Sequence, residues 1–149
     1  MAKLEAPSRA QLQAFIKEQR TILALEALFN AVASGRVEVQ AKTGNYSIAS
    51  EDSGATFLST AADTVFTLPA TALGLIYTVV SKVPSAGMGV KVVPAAGDKI
   101  MGNGFTSLDG KAAINAGATD REGDIITFMG DGLDGWFITG VIGVWVREA

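Results

Sequence analysis

The chain contains no cysteine and no histidine. The first absence removes disulfides as a source of stability and with them the small secreted scaffolds that depend on such staples. Together the two remove the commonest general base, thiolate nucleophiles and most transition-metal ligand sets. Charge is also scarce: 18% of the 149 residues are Asp, Glu, Lys or Arg, below the usual ~25%. Such a sequence fits a protein that hides part of its surface in an assembly. The net charge is -3 and the basic residues are scattered, so no phosphate-tracking patch and no nucleic-acid partner are expected. No apolar run approaches the ~20 residues needed to cross a bilayer, although the mean hydropathy is +0.31. Met1 to Glu5 are mildly charged and lack the pattern of a secretory leader. The expectation is a soluble protein with no membrane partner.

What is present divides into two parts, an N-terminal helical segment over residues 1–35 and a β domain over 36–149. Pro7 and Ser8 open a long helix, with Gln11 three residues beyond Ser8 in a possible capping box, and Gly35 stands just past its end at Ser34. Within it Phe15, Ile22, Leu25, Phe29 and Val32 form a heptad-like seam, broken by Glu18. Leu12, Ile16 and Leu23 widen the apolar face, and from Ile22 to Val32 most sides are apolar. Such a helix requires a partner. The five seam residues are therefore the candidate oligomerisation residues.

After Gly35 the period shifts toward two. Arg36 to Gln40 and Asn45 to Ile48 alternate. Further strands are expected at Thr56 to Ser59, Thr64 to Leu68, Leu75 to Lys82, Gly89 to Val93, Asp98 to Met101, Asp124 to Met129, Gly135 to Thr139 and Val141 to Arg147. Turn residues separate them: Thr43-Gly44-Asn45, Asp52-Ser53-Gly54, Ala96-Gly97-Asp98, Gly102-Asn103-Gly104, Asp109-Gly110 and Asp131-Gly132 among others. A single helical turn is expected within Pro69 to Gly74. Many short strands with regular turns predict an antiparallel β-sandwich or barrel.

No set of residues reads as catalytic, cofactor-binding or metal-binding. Asp131-Gly132-Leu133-Asp134-Gly135 places two carboxylates beside glycines, as a hard cation would require, but lacks alternate ligands and a closing glutamate. A tight hairpin turn is the simpler reading. Gly102-Asn103-Gly104 has no following helix to hold a phosphate and reads as a turn. The serines have no histidine to activate them. Asp98, Asp109, Asp120, Glu122, Asp124, Asp131 and Asp134 could supply a glycosidase pair, yet their turn positions favour solvated loop carboxylates. Tyr46, Tyr77, Trp136, Phe137 and Trp145 could stack on a sugar, and each also sits in a strand pattern that favours the core.

From Asn45 onward the order of motifs resembles a domain of tailed-phage virion proteins, especially head decoration or head-fibre proteins and parts of tail fibres. The residues that carry it are Tyr46 to Phe57 with its Asp52-Ser53-Gly54 turn, Phe66-Thr67-Leu68-Pro69 followed by Leu73-Gly74-Leu75, Val90 to Ile100 with Gly97-Asp98, and Asp124 to Gly132 with Trp136 to Gly140. The resemblance implies an antiparallel sandwich or barrel that forms a homotrimer on the virion surface after synthesis in the host cytoplasm. Its partners would be further copies of itself and the major capsid protein or another virion protein, with no cofactor and no enzymatic activity. Two alternatives remain at this level: a tail-fibre or baseplate component that binds a host-surface glycan, and a small polysaccharide-degrading enzyme using an Asp or Glu pair.

Overall fold

Side chains alternate between inside and outside along nearly every strand from Val39 onward, so each strand commits one face to a common core. The computed structural model describes residues 13, 17–23, 25, 37–83, 89–105, 108–115 and 119–149. It divides into two units, Met1–Arg36 and Val37–Ala149. In the first, residues 17–23 are helical, as are Gln13 and Leu25. A long helix from Ser8 to Ser34 is not shown, and the rest of that expected span lies outside the described residues.

The second unit holds the strands β1 Val39–Lys42, β2 Tyr46–Ser47, β3 Thr56–Ser59, β4 Val65–Thr67, β5 Ile76–Ser81, β6 Lys91–Val93, β7 Lys99–Met101, β8 Ala113–Asn115, β9 Asp124–Gly130, β10 Gly135–Ile142 and β11 Trp145–Arg147. They form a six-stranded sheet ordered β1-β3-β5-β9-β10-β7 and a five-stranded sheet ordered β11-β8-β6-β4-β2. From β1 to β6 the chain switches sheet at every strand. Each odd strand therefore returns parallel to the previous odd strand, and each even strand parallel to the previous even one. A strand in the opposite sheet serves as the crossover that parallel pairing needs. The expectation of antiparallel sheets is corrected accordingly: β1, β3 and β5 are parallel, β7 runs parallel to β10, and antiparallel pairing is confined to β5-β9, β9-β10, β6-β8 and β8-β11. Neither sheet closes into a barrel.

Parallel stacking places like positions in columns. On the inner side of the larger sheet Gln40, Phe57 and Val79 stand in register, and on the smaller sheet Tyr46, Phe66 and Val92 do the same. Phe57 and Phe66 meet across the gap with ring centroids 5.9 Å apart, and Tyr77 meets Trp136 at 5.4 Å. Phe57, Phe66, Tyr77, Phe128 and Trp136 are fully buried, each contributing roughly 1.5–3 kcal/mol by leaving water. The β1 end of this core is closed by polar groups. Asp52, in the 3-10 turn Ser50–Asp52, accepts from the Ala49 N–H at 3.0 Å, Gln40 Nε2 at 3.2 Å and the Tyr46 hydroxyl at 3.3 Å. Lys42 Nζ lies 3.4 Å from the centre of the Tyr46 ring.

Three local expectations change. Residues Pro69 to Gly74 hold no helical turn; the backbone turns at Leu73 and Gly74, where φ is +82°. The break foreseen at Gly140 is instead a bulge between Ile138 and Gly140, and β10 continues to Ile142. Gly143, at φ +86°, makes the real break. β8 was not foreseen, since Ala113-Ile114-Asn115 is too short and mixed to announce a strand.

Candidate functional site

In a sheet with one buried face, the other face ordinarily carries polar residues. The larger sheet does not follow this rule. Ladder register aligns its outward positions in rows. One row is Ile76, Met129, Phe137 and Met101. The next is Val39, Thr56, Thr78, Thr127 and Gly140. The third is Ala41, Leu58, Val80, Ile125 and Ile142. No charged side chain stands in these rows; charge begins at the rim, with Lys82 and with Lys99, which pairs with Asp109 and Asp134 at 3.8 and 3.7 Å. Several members are exposed: Val39 by 56%, Ile76 by 43%, Phe137 by 42% and Ile142 by 60%.

Two of the three hydroxyls in the middle row satisfy each other. Thr78 and Thr127 hydrogen bond to each other at 3.1 Å. The bulge at Thr139 inserts one extra residue, which lets Phe137 and Ile142 lie on the same side of β10 although their spacing is odd. The smaller sheet gives the contrast. Its outer face carries the ion pair of Lys91 with Glu148 at 2.5 Å, and that contact is the leading reason the Glu148 carboxyl sits below its ordinary range.

The remaining candidates resolve one by one. Asp131 Oδ1 accepts the N–H groups of Leu133, Asp134 and Gly135 at 2.9, 3.0 and 2.9 Å. Those bonds, Gly135 first, hold its carboxyl below the usual range. The segment is thus a turn organised by its own carboxylate. Among the described residues no group of His, Cys, Asp or Glu is disposed to hold a metal. Gly102-Asn103-Gly104 is a turn with positive φ at all its members. Beside it lies an open recess of about 250 Å³ lined by Asn103, Ile138, Thr139, Gly140 and Val141, with no ionisable group.

The acidic residues of the last third are not all solvated. Asp120 and Asp124 are 8% and 4% exposed. Asp120 accepts from the buried Ser81 hydroxyl at 2.9 Å, and Asp124 from Asn115 Nδ2 at 2.9 Å and the Arg121 N–H at 3.0 Å. These contacts join β5, β8 and β9 to neighbouring loops. Asp98 is occupied by the Thr71 N–H at 2.8 Å. The aromatic residues divide as well: Trp136, Tyr77 and Trp145 lie in the core, Tyr46 is half-buried under Lys42, and Phe137 alone of the named group stands exposed on the outer face.

Of the expected oligomerisation residues, Ile22 and Leu25 are 42% and 49% exposed. Phe15, Phe29 and Val32 lie outside the described residues. The uncharged sheet face is not announced by alternation within any single strand. Its signal is there in Ile76-Tyr77-Thr78-Val79-Val80 and Ile125-Ile126-Thr127-Phe128-Met129. Such uncharged, largely apolar runs mark strands covered on both faces. Compared with protein-family models and with curated proteins, the chain matches none.

Proposed function

We propose that the chain is a non-enzymatic structural protein of a tailed-phage virion, of the capsid decoration or head-fibre type, which binds the capsid as an oligomer. The supporting observation is the uncharged outer face of the six-stranded sheet, with Val39, Ile76, Phe137 and Ile142 open to solvent. Contiguous apolar surface of this kind marks a protein contact. The order of motifs from Tyr46 to Gly140 supports the choice of a virion as its setting. In this reading the β domain is the displayed body, and the N-terminal segment with Ile22 and Leu25 serves attachment or oligomerisation. Repeated weak contacts from linked copies raise overall attachment by effective concentration.

The test uses particles of the phage whose genome encodes the chain. Purified protein mixed with heads that lack it should co-sediment with them at saturable stoichiometry, and antibody label should decorate the head. Label confined to the tail would move the protein to a fibre or baseplate role. Absence from purified virions would end the virion reading.

A further inference from the structure

The outer face of the six-stranded sheet calls for one kind of occupant. We infer that it packs against the same face of a second copy of this chain, sheet on sheet, about a two-fold axis. The inference rests on reading this face as an assembly surface, and does not depend on the assembly being a virion.

Area is the first support. The three rows hold four, five and five positions, and at about 4.8 Å between strands and about 6.8 Å between rows they give a patch of roughly 450 Å² in plan. Two copies would bury roughly 900 Å², the size of a weak, reversible interface and above that of most adventitious contacts. Complementarity is the second support. The patch carries no charge to repel its own image, and its rows end in apolar or small residues: Ile76 and Met101, Val39 and Gly140, Ala41 and Ile142. The Thr78 and Thr127 hydroxyls already bond each other at 3.1 Å, which lowers the cost of taking these two groups out of water. Sheets with apolar faces pack about 10 Å apart, and a self-complementary patch closes through a two-fold.

The outer face of the smaller sheet makes the alternative partner poor. Lys91 and Glu148 are paired on it, and burying that pair would remove it from water without a new partner. A heterologous, head-to-tail contact between the two faces is therefore disfavoured.

The full chain, in solution and without any phage particle, decides the matter by sedimentation and light scattering across a concentration series. A dimer or an even multiple is expected. Met129→Lys and Ile142→Glu, on adjacent strands and in different rows, should each raise the dissociation constant roughly a hundredfold, since each buries an unpaired charge in both halves of an apolar contact. Circular dichroism and urea unfolding would establish that both variants fold. Val146→Glu and Leu73→Glu, at exposed positions elsewhere, should leave the mass unchanged. A monomer at tens of micromolar would overturn the inference. So would a trimer, or any oligomer whose mass is unmoved by both charges on the sheet face. Capsid binding is read in a separate experiment, so failure of one proposal does not imply failure of the other.

Discussion

The side-chain amide of Asn115 donates to the Asp124 carboxylate at 2.9 Å, where both residues are buried. The same amide nitrogen reaches the Val144 carbonyl at 3.0 Å, while Asn115 Oδ1 has no partner among the described residues. Asn115 therefore acts as a donor. Replacing it with leucine leaves a buried carboxylate short of one bond, at an expected cost of about 2–3 kcal/mol. Asn115→Asp should be worse at neutral pH, because two carboxylates would share the site, and it should recover part of its stability near pH 4 as one of them takes up a proton. Urea unfolding at the two pH values measures both effects. Equal destabilisation of Asn115→Asp at both would show that charge is not the cause.

Gly135 is fixed by its neighbour across a parallel ladder. Its φ is +152°, and a Cβ there would lie 2.1 Å from the Lys99 carbonyl oxygen and 2.5 Å from the Lys99 nitrogen. Both obstacles are backbone, so neither can swing aside. Gly135→Ala should cost about 3 kcal/mol and loosen β7 from β10. Gly44→Ala meets nothing within 4 Å and should stay within about 0.5 kcal/mol of the parent. Thermal unfolding of the two variants side by side gives the comparison.

Much of the fold is legible in the sequence because strand signals are local. Thr56 to Ser59, set off by the Asp52-Ser53-Gly54 turn, forms β3 as read, and the Asp131 turn follows from Asp and Gly chemistry. Pairing direction is not local. Nothing within Val39–Lys42 or Thr56–Ser59 announces that they run parallel, since that depends on Tyr46–Ser47 lying in the other sheet between them. The buried acids were hidden for a related reason. Asp120 and Asp124 resemble loop carboxylates in sequence, and only the fold brings Ser81 and Asn115 to them. The candidate site required pattern across strands: Thr78 and Thr127 are distant in sequence, and only the β5-β9 register brings their hydroxyls together.

Acid should weaken the β domain through identified carboxylates. The Ala49 N–H is the main reason the Asp52 carboxyl lies below its usual value, with Gln40 and Tyr46 adding to it. Lys91 does the same for Glu148. A carboxyl depressed in the folded state stabilises above its unfolded value, near pH 4, and that stability is lost as pH falls through the folded value. Unfolding free energy should therefore decline below about pH 4. Asp52→Asn should flatten that acid limb and leave the limb above pH 5 parallel to the parent's. An unchanged acid limb would remove Asp52 from the explanation.

The alkaline side should depend on Tyr77. Burial is the main reason its phenol is pushed above the usual value, with Asp52 and Glu51 adding negative charge nearby, and its hydroxyl donates to the Ala49 carbonyl at 3.0 Å. Stability from this group is present below the unfolded value near 10 and is lost as pH rises toward the higher folded value. Tyr77→Phe should cost about 1 kcal/mol at neutral pH through the lost bond and reduce the alkaline decline. Ultraviolet titration of tyrosinate should show Tyr77 ionising late in the folded protein and normally after unfolding.

The Asp131 turn offers a direct test of carboxylate as turn organiser against carboxylate as cation ligand. One oxygen already receives N–H groups from Leu133, Asp134 and Gly135, and Asp134 faces Lys99 at 3.7 Å. An asparagine oxygen can accept the same N–H groups, whereas alanine cannot. Asp131→Ala should lower the unfolding midpoint, Asp131→Asn should retain most of it, and millimolar calcium should shift neither variant nor parent. A calcium-dependent rise in the parent that Asp131→Asn abolished would show that the carboxylate charge serves a cation. The absence of that rise, combined with rescue by asparagine, identifies the hydrogen-bonded turn as the reason Asp131 stands between β9 and β10.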